Sequence, residues 1–473
     1  MIICKFCKDL YNILHYIILI DWGFHMKKGL QYVCVFILLF SFLLPIHPIQ
    51  GALQNSLSFS TNPISPITGR PPSGQRWDIN QLTIVYLNGS FYNMGYQLGE
   101  LLVQEIQINQ RAFNSFYERE GITMNEVMEL WDIQKQYVPQ ELIDYIQGTA
   151  DALGLDFEDI ACTWVAEGAE YCRCSSFTAW GDATKDGELV FARSLEFPLS
   201  IEDPLTGDFV QDYPILVIAN PDEYNAFMYP TFAGYVMEDG LNEKGVAISN
   251  MWSANNDKTK EGSPMGVRLF EALYKASTAQ QAIKILTDHK TFGYNFIVAD
   301  ASVPIGYAVE TTGSLSYSGT WDNPVENKWP FWAIENVVRR TNCFLHPNLA
   351  ATQRDHYSPR HPAYCLGLIQ GTNAWWFVWN HFKALSKGIE SNWGRLDVNS
   401  TLFTMRSVYH GMYDPLWNFM LKTGMTWTTW WQWVACPKSG EVKISFAKGD
   451  VSAHQNTVFE FNFLNTLENH YPS

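Results

Sequence analysis

The sequence predicts an α+β layered domain. Two observations carry this: strand-like runs recur along most of the chain with turn residues between them, and the helical stretches come in blocks rather than alternating with strands as βαβ units. A third is Asp186-Gly187 between two apolar runs, a strong hairpin signal of the kind antiparallel sheets need.

The elements follow in order. Residues 52–79, rich in Ser, Asn, Pro and Gly and including Arg70-Pro71-Pro72-Ser73-Gly74, read as a linker, and residues 80–473 as a single domain. That domain opens with a strand from Leu82 to Leu87. A helix follows, because Met94, Leu98, Leu101, Leu102 and Ile106 recur on one helical face. A second helical stretch runs from about Asn125 to Leu153 and is interrupted by Pro139. From Cys174 the pattern turns to strands: Ser175 to Trp180 and Leu189 to Phe197 around the Asp-Gly turn, then Pro214 to Ala219, Ala226 to Tyr229 and Val246 to Ser249. Two helices come next, one with Val267, Phe270 and Leu273 on a single face, the other opened by the capping pattern Thr278-x-x-Gln281. Phe296 to Ala299 and Tyr307 to Thr311 return to strand, and the chain ends with strands near Trp427 to Ala435, Glu441 to Phe446 and Val458 to Phe463.

Composition narrows the function. Asp plus Glu (48) exceed Lys plus Arg (32), so attraction to phosphate backbones is not expected and nucleic acid is excluded as a partner. Aromatic residues make up 15% of the 473, enough to exclude disorder for most of the chain. Trp427 to Trp433 holds four Trp in seven residues; packing against a large sheet is the simpler use, a ligand platform the other. Met26-Lys27-Lys28, an apolar run from Leu30 to Ile46, and the small residues Gly51-Ala52 have the order of a secretory signal, with Met26 as the natural start. Residues 1–51 are therefore expected to be a cleaved signal peptide or a retained membrane anchor, and the body extracytoplasmic. Six cysteines lie in that body, Cys162, Cys172, Cys174, Cys343, Cys365 and Cys436; with one kept as a working thiol, at most two disulfides form. The sequons at Asn88 and Asn399 say little.

Several familiar centres are missing. Gly240 to Gly245 has phosphate-loop spacing but continues Val246-Ala247 instead of Lys-Ser/Thr, and no Gly-x-Ser-x-Gly elbow exists. His356 and His361 lack metal-site context, and Cys172-x-Cys174 is too closely spaced for a zinc knuckle, so neither metal nor cofactor is expected. What remains is Tyr171-Cys172-Arg173-Cys174-Ser175-Ser176-Phe177-Thr178-Ala179-Trp180-Gly181. Alone, Cys174 reads as an inert buried thiol before it reads as a nucleophile. A hairpin turning at Asp186-Gly187 places it opposite about residues 197 to 199, near Arg193 and Glu196, where a cation would raise its thiolate fraction. Strict alternation puts Arg193 and Glu196 on opposite faces, so bringing both to the thiol requires a bend before Pro198; the plain alternative is a cross-strand ion pair.

An ordered set of motifs surrounds this thiol: Asn88-Gly-Ser-Phe-Tyr-Asn-Met-Gly-Tyr-Gln-Leu-Gly99, Cys174-Ser-Ser-Phe-x-Ala-Trp-Gly181 with Lys185-Asp-Gly187, Ala192-Arg-Ser-Leu-Glu-Phe197, Gly240-Leu-Asn-Glu-Lys-Gly-Val246 and Thr341-Asn342. Across about residues 80 to 465 the chain resembles the acyl-coenzyme A:6-aminopenicillanic acid acyltransferase-like family, cysteine members of the N-terminal-nucleophile hydrolases related to choloylglycine hydrolases and acid ceramidase. The resemblance implies a four-layer αββα sandwich of antiparallel sheets and a precursor that cuts itself at Arg173-Cys174, giving an α fragment that ends at Arg173 and a β fragment that begins at Cys174. The freed α-amine, with a reference pKa of about 7.7 to 8.0, then accepts the thiol proton in place of a histidine. By the same match Arg193 supports the nucleophile, Glu196 stands where the family often has Asp and binds the α-ammonium, and Asn342 donates to the oxyanion. Asn250 is a second donor candidate. Arg360, with Arg354 as substitute, fits a later family arginine. The expected function is an exported, self-processing cysteine acyltransferase or amidohydrolase acting on a small N-acyl compound through a Cys174 thioester. Two rivals stay open: an ester- or lipid-directed acyl hydrolase of similar mechanism, and a non-catalytic exported binding protein.

Overall fold

In the computed structural model the described residues are 74–165, 173–353, 373–423 and 428–472, with side chains described from 378 in the third segment. The apolar run expected to be a signal, the alternative arginines Arg354 and Arg360, and the residues Cys172, His356, His361, Cys365 and Trp427 all lie outside them. Among the described residues no helix is long and apolar enough to cross a membrane.

Two sheets form the body. Nine strands make the first: β1 (Gln75–Ile79), β2 (Leu82–Gly89), β5 (Pro214–Pro221), β6 (Phe227–Phe232), β7 (Asp239–Asn242), β8 (Val246–Trp252), β9 (Tyr294–Asp300), β10 (Ile305–Thr311) and β11 (Ser316–Gly319), side by side in that order. The second holds six, in the order β12 (Val337–Arg340), β3 (Arg173–Gly181), β4 (Gly187–Glu196), β13 (Thr429–Cys436), β14 (Glu441–Phe446) and β15 (Phe459–Asn462). All neighbours are antiparallel except β2 and β5. Strand β1 lies in the stretch expected to be linker, so the folded body begins at least by Gln75: Trp77 pairs with Ile84, and five residues join the ladder despite a mixed polar pattern.

Alternation along the strands sorts the core. Odd residues of β4, Leu189, Phe191 and Leu195, share a buried cluster with Cys174, Trp431 and Trp433 and with Leu216, Ile218, Ala247 and Ile297 of the nine-stranded sheet. The opposite face, Phe177, Ala179, Val190, Ala192 and Val434, packs on helices α8 (Asn373–Asn392), α9 (Val398–Tyr409) and α10 (Pro415–Lys422) through Leu385, Met405 and Trp417. The other side of the nine-stranded sheet, Val85, Val217, Ile248 and Phe296 among others, is covered by α1 (Phe91–Leu101), α2 (Val103–Arg119), α3 (Met124–Gln134), α4 (Gln140–Leu153), α5 (Phe157–Val165), α6 (Met265–Lys275) and α7 (Ala279–Thr287). The expected break at Pro139 separates α3 from α4, and Thr278 caps α7 by accepting from Gln281 N as its motif implies.

The glycine-spaced motif from Asn88 to Gly99 serves packing. A Cβ on Gly95 would sit 1.9 Å from Tyr145 O, and one on Gly148 2.1 Å from Tyr92 O, so α1 and α4 touch backbone to backbone. Trp430, Trp431 and Trp433 are fully buried, which makes the Trp cluster core and not a surface platform. Cys162, Cys174 and Cys436 are free thiols, which leaves room for at most one of the two disulfides that the count allowed.

Candidate active site

The β3–β4 hairpin carries the first two site residues, in a register that differs from expectation. Its turn is centred near Thr184: Gly181 pairs with Gly187, both at positive φ (+55° and +82°), and the loop closes through Thr184 N donating to Gly181 O. Asp186-Gly187 ends the loop instead of forming its tip. Cys174 therefore faces Leu195 and Arg173 faces Glu196, not residues 197 to 199.

Cys174 is 1% exposed, its side chain between the two sheets. Arg193, on the same face, donates from Nη2 to Cys174 Sγ at 3.3 Å. The other arms of that guanidinium are also held: Nη1 donates to Ser194 O at 2.5 Å and Nε to Asp239 Oδ2 at 3.1 Å. Asp239, from β7, in turn accepts from two indoles, Trp433 Nε1 to Oδ1 at 2.7 Å and Trp431 Nε1 to Oδ2 at 3.0 Å. Asn342 reaches Cys174 from the loop after β12: its Oδ1 accepts from Cys174 N at 2.8 Å and its Nδ2 donates to Trp252 O at 2.7 Å. That loop is gripped by Asn295 of β9, whose Nδ2 donates to Thr341 O at 2.7 Å and Cys343 O at 2.9 Å.

Burial dominates the electrostatics. It pushes the Cys174 thiol up to about 12, with the charge of Arg193 only partly countering it, so the uncut chain holds a thiol and not a thiolate. Burial also raises Asp239 to about 6, against the pull of Arg193 and the two indoles.

Glu196 is on the other face of the sheet, as alternation dictates; the bend that would bring it to the thiol is absent, and the ladder irregularity lies in β13 between Thr429 and Trp431. Its Oε1 accepts from Ser194 Oγ at 2.7 Å and from the Tyr409 hydroxyl. Tyr409 OH also meets His381 Nε2 at 2.9 Å and Ser175 Oγ at 3.1 Å. With the Tyr409 proton on Glu196, both of those groups act as donors to its oxygen. Burial raises Glu196 to about 8, and burial with the nearby Arg173 lowers His381 to about 3, so both are neutral near pH 7. A histidine is thus present close to the nucleophile, behind the sheet rather than beside the sulfur.

Of the six expected site residues the structure brings Cys174, Arg193 and Asn342 into direct contact. Glu196 sits one strand position across but faces away, and Asn250 is turned to Glu238, donating from Nδ2 to Oε2 at 2.8 Å. Arg360 lies outside the described residues. Asp239, Asn295, Trp431, Trp433, His381 and Tyr409 went unread as site residues. The one sequence signal for Asp239 was its place directly before the Gly240-Leu-Asn-Glu motif.

No protein-family model matches the chain. It is 23% identical over 235 residues to protein dcd1B of Dictyostelium discoideum, spanning 44% of this chain and only 45% of that protein. To protein dcd1A of the same organism it is 20% identical over 384 residues, 72% of this chain and 78% of that protein. An uncharacterized protein of Archaeoglobus fulgidus is 26% identical over 212 residues, 38% of this chain and 34% of its own length. Among solved structures, a penicillin V acylase from Agrobacterium tumefaciens is similar with a TM-score of 0.37 at 15% identity, covering 61% of this chain and 86% of its own. A mutant conjugated bile acid hydrolase from Clostridium perfringens has a TM-score of 0.32 at 10% identity, covering 62% and 93%.

Proposed function

We propose that this chain is a self-processing cysteine amidohydrolase or acyltransferase that acts on a small N-acyl compound, built as a four-layer αββα sandwich and exported behind the signal at residues 1–51. One observation carries the chemistry: Cys174 has its sulfur on the Arg193 guanidinium at 3.3 Å and its backbone nitrogen on Asn342 Oδ1 at 2.8 Å. An inert core cysteine needs neither. The three buried clusters, helix on sheet, sheet on sheet and sheet on helix, support the layering.

In processing, Cys174 Sγ adds to the Arg173 carbonyl carbon, the Arg173–Cys174 C–N bond breaks, the nitrogen leaves as an amine after gaining a proton, and water hydrolyses the resulting thioester. The same nitrogen is then an α-amine. Asn342 Oδ1 holds one of its N–H groups, and its lone pair takes the thiol proton that burial keeps on Cys174 in the uncut chain. Arg193 stabilises the thiolate that results. The substrate's acyl carbonyl follows the route of the Arg173 carbonyl. Asn342 serves as an oxyanion donor only when its Nδ2 leaves Trp252 O.

Ester- or lipid-directed hydrolysis uses the same atoms. The binding-protein reading loses its platform, since Trp430, Trp431 and Trp433 are buried. Intact mass and amino-terminal sequencing of the purified chain test the proposal: wild type is expected as two fragments with Cys174 at a new amino terminus, and Cys174→Ala as one. A wild-type chain that stays whole under native conditions, or a Cys174→Ala chain that is cut at the same bond, overturns it. The cut protein is then assayed for amine release from a panel of N-acyl amides.

A further inference from the structure

The Trp-rich strand β13 does more than fill the core. Its Trp433 pairs with Arg193 across the sheet and Trp431 with Leu195, so both rings lie along the face that carries the nucleophile. Each spends its only polar hydrogen on one carboxylate, Trp433 on Asp239 Oδ1 at 2.7 Å and Trp431 on Asp239 Oδ2 at 3.0 Å. A buried indole N–H needs some acceptor. Trp430, next in line, satisfies its own on a plain backbone carbonyl, Pro198 O, at 3.0 Å. Trp431 and Trp433 instead converge on the one carboxylate that binds Arg193.

The geometry passes along rigid planes. Three N–H donors fix both oxygens of Asp239. Asp239 and Ser194 O then fix Nε and Nη1 of Arg193. A guanidinium is planar, so two fixed arms decide where the third, Nη2, points. It points at Cys174 Sγ, 3.3 Å away. The indole dipoles also draw on the negative charge of Asp239, leaving less of it to neutralise Arg193.

We propose that Asp239, Trp431 and Trp433 are positioning residues that act through Arg193 to aim its Nη2 at Cys174 and to set how readily that thiol ionises. This rests on the reading of Cys174 as nucleophile and extends it to a strand that otherwise looks like packing. The other titratable groups acting on Cys174 are Glu196 and Glu238, and replacing a Trp by Phe changes neither of them.

The experiment uses the full chain with Trp433→Phe, Trp431→Phe, Asp239→Asn and, as control, Trp430→Phe. Two readouts are followed: the rate of Arg173–Cys174 cleavage by intact mass from about pH 5 to about pH 9, and the rate of Cys174 alkylation by iodoacetamide, by peptide mass, from about pH 7 to about pH 12, a range that reaches the raised thiol of the uncut chain. Loss of one hydrogen bond to a charged group should raise the alkylation midpoint by about one pH unit in Trp433→Phe and Trp431→Phe and slow cleavage about tenfold near neutral pH. Asp239→Asn should lower the midpoint, because Arg193 loses its counter-charge, yet slow cleavage, because the guanidinium is no longer aimed. Trp430→Phe should leave the midpoint in place. Midpoints that do not move in the Trp431 and Trp433 variants, or that move equally in Trp430→Phe, overturn the proposal. If wild type is never cut, self-processing fails, and the alkylation midpoints still decide the clamp; if one variant does not fold, the remaining two carry the comparison.

Discussion

Glu196 is fully buried, and its carboxyl is raised from an ordinary 4.5 to about 8, mainly by that burial. The sign of the consequence runs against intuition. Below about pH 4.5 the carboxyl is protonated in folded and unfolded chains alike and contributes no pH dependence. Between about 4.5 and 8 the unfolded chain releases the proton and the folded chain keeps it, so stability falls as pH rises, by about 1.4 kcal/mol per pH unit. By pH 7 the cost is on the order of 3 kcal/mol, a substantial part of a typical domain's stability. Glu196→Gln should remove it. The glutamine Oε1 can keep both donors now on Glu196 Oε1, Ser194 Oγ and Tyr409 OH, so shape and hydrogen bonding carry over. In a Cys174→Ala background, which keeps the chain uncut, urea unfolding of the two proteins should coincide near pH 4.5 and diverge above it, with the Gln variant the more stable. Parallel curves, or a Gln variant less stable near pH 7, would show that Glu196 is ionised in the folded chain and refute the reasoning.

Two further outcomes follow from distances at the site and beneath it. Asn295→Ala removes both hydrogen bonds that hold the loop at Thr341 O and Cys343 O, so Arg173–Cys174 cleavage, followed by intact mass, should slow by about tenfold although Cys174, Arg193 and Asn342 are all present; an unchanged rate would mean the Asn342 loop holds itself. Gly148→Ala puts a methyl 2.1 Å from Tyr92 O, a backbone atom with no side-chain freedom to yield, so α1 and α4 must part, at a cost of about 3 kcal/mol in thermal unfolding; an unshifted melt would show the helix pair to be loosely set.

What the sequence made legible is local. The strands β3, β4, β5, β8, β9, β10 and β14 stand out because their apolar residues are continuous or alternate over several positions, and the cap at Thr278 is a short-range pattern. Strand β12, Val-Val-Arg-Arg, was passed over because two arginines do not read as core, yet Arg339 and Arg340 are both buried. Arg340 is paid for by Glu310 at 3.0 Å and by Glu326, partners that lie 30 and 14 residues away and leave no local trace. Helices α8 to α10 were missed as well, and with them His381 and Tyr409. The apolar faces of α8 and α10 are about as marked as that of α1; what no local pattern records is that Tyr409 meets Glu196, 213 residues away.

The two carboxylates show where local reasoning stopped. Hairpin arithmetic brought Arg193 and Glu196 near Cys174 and then needed a bend to put both on one face. The strand has none: period-two alternation sends Arg193 inward to the sulfur and Glu196 outward to Tyr409, and the arginine's carboxylate comes from Asp239, 46 residues further on in the other sheet. That partner depends on how two sheets stack, which no strand pattern records. The exchange matters chemically. Asp239, raised only to about 6, is mostly ionised at neutral pH and anchors the cation, while Glu196, at about 8, is mostly neutral even with Arg173 across from it. One carboxylate is set to hold Arg193 from the moment the chain folds; under the proposed self-processing, the other would respond once Cys174 became an amino terminus.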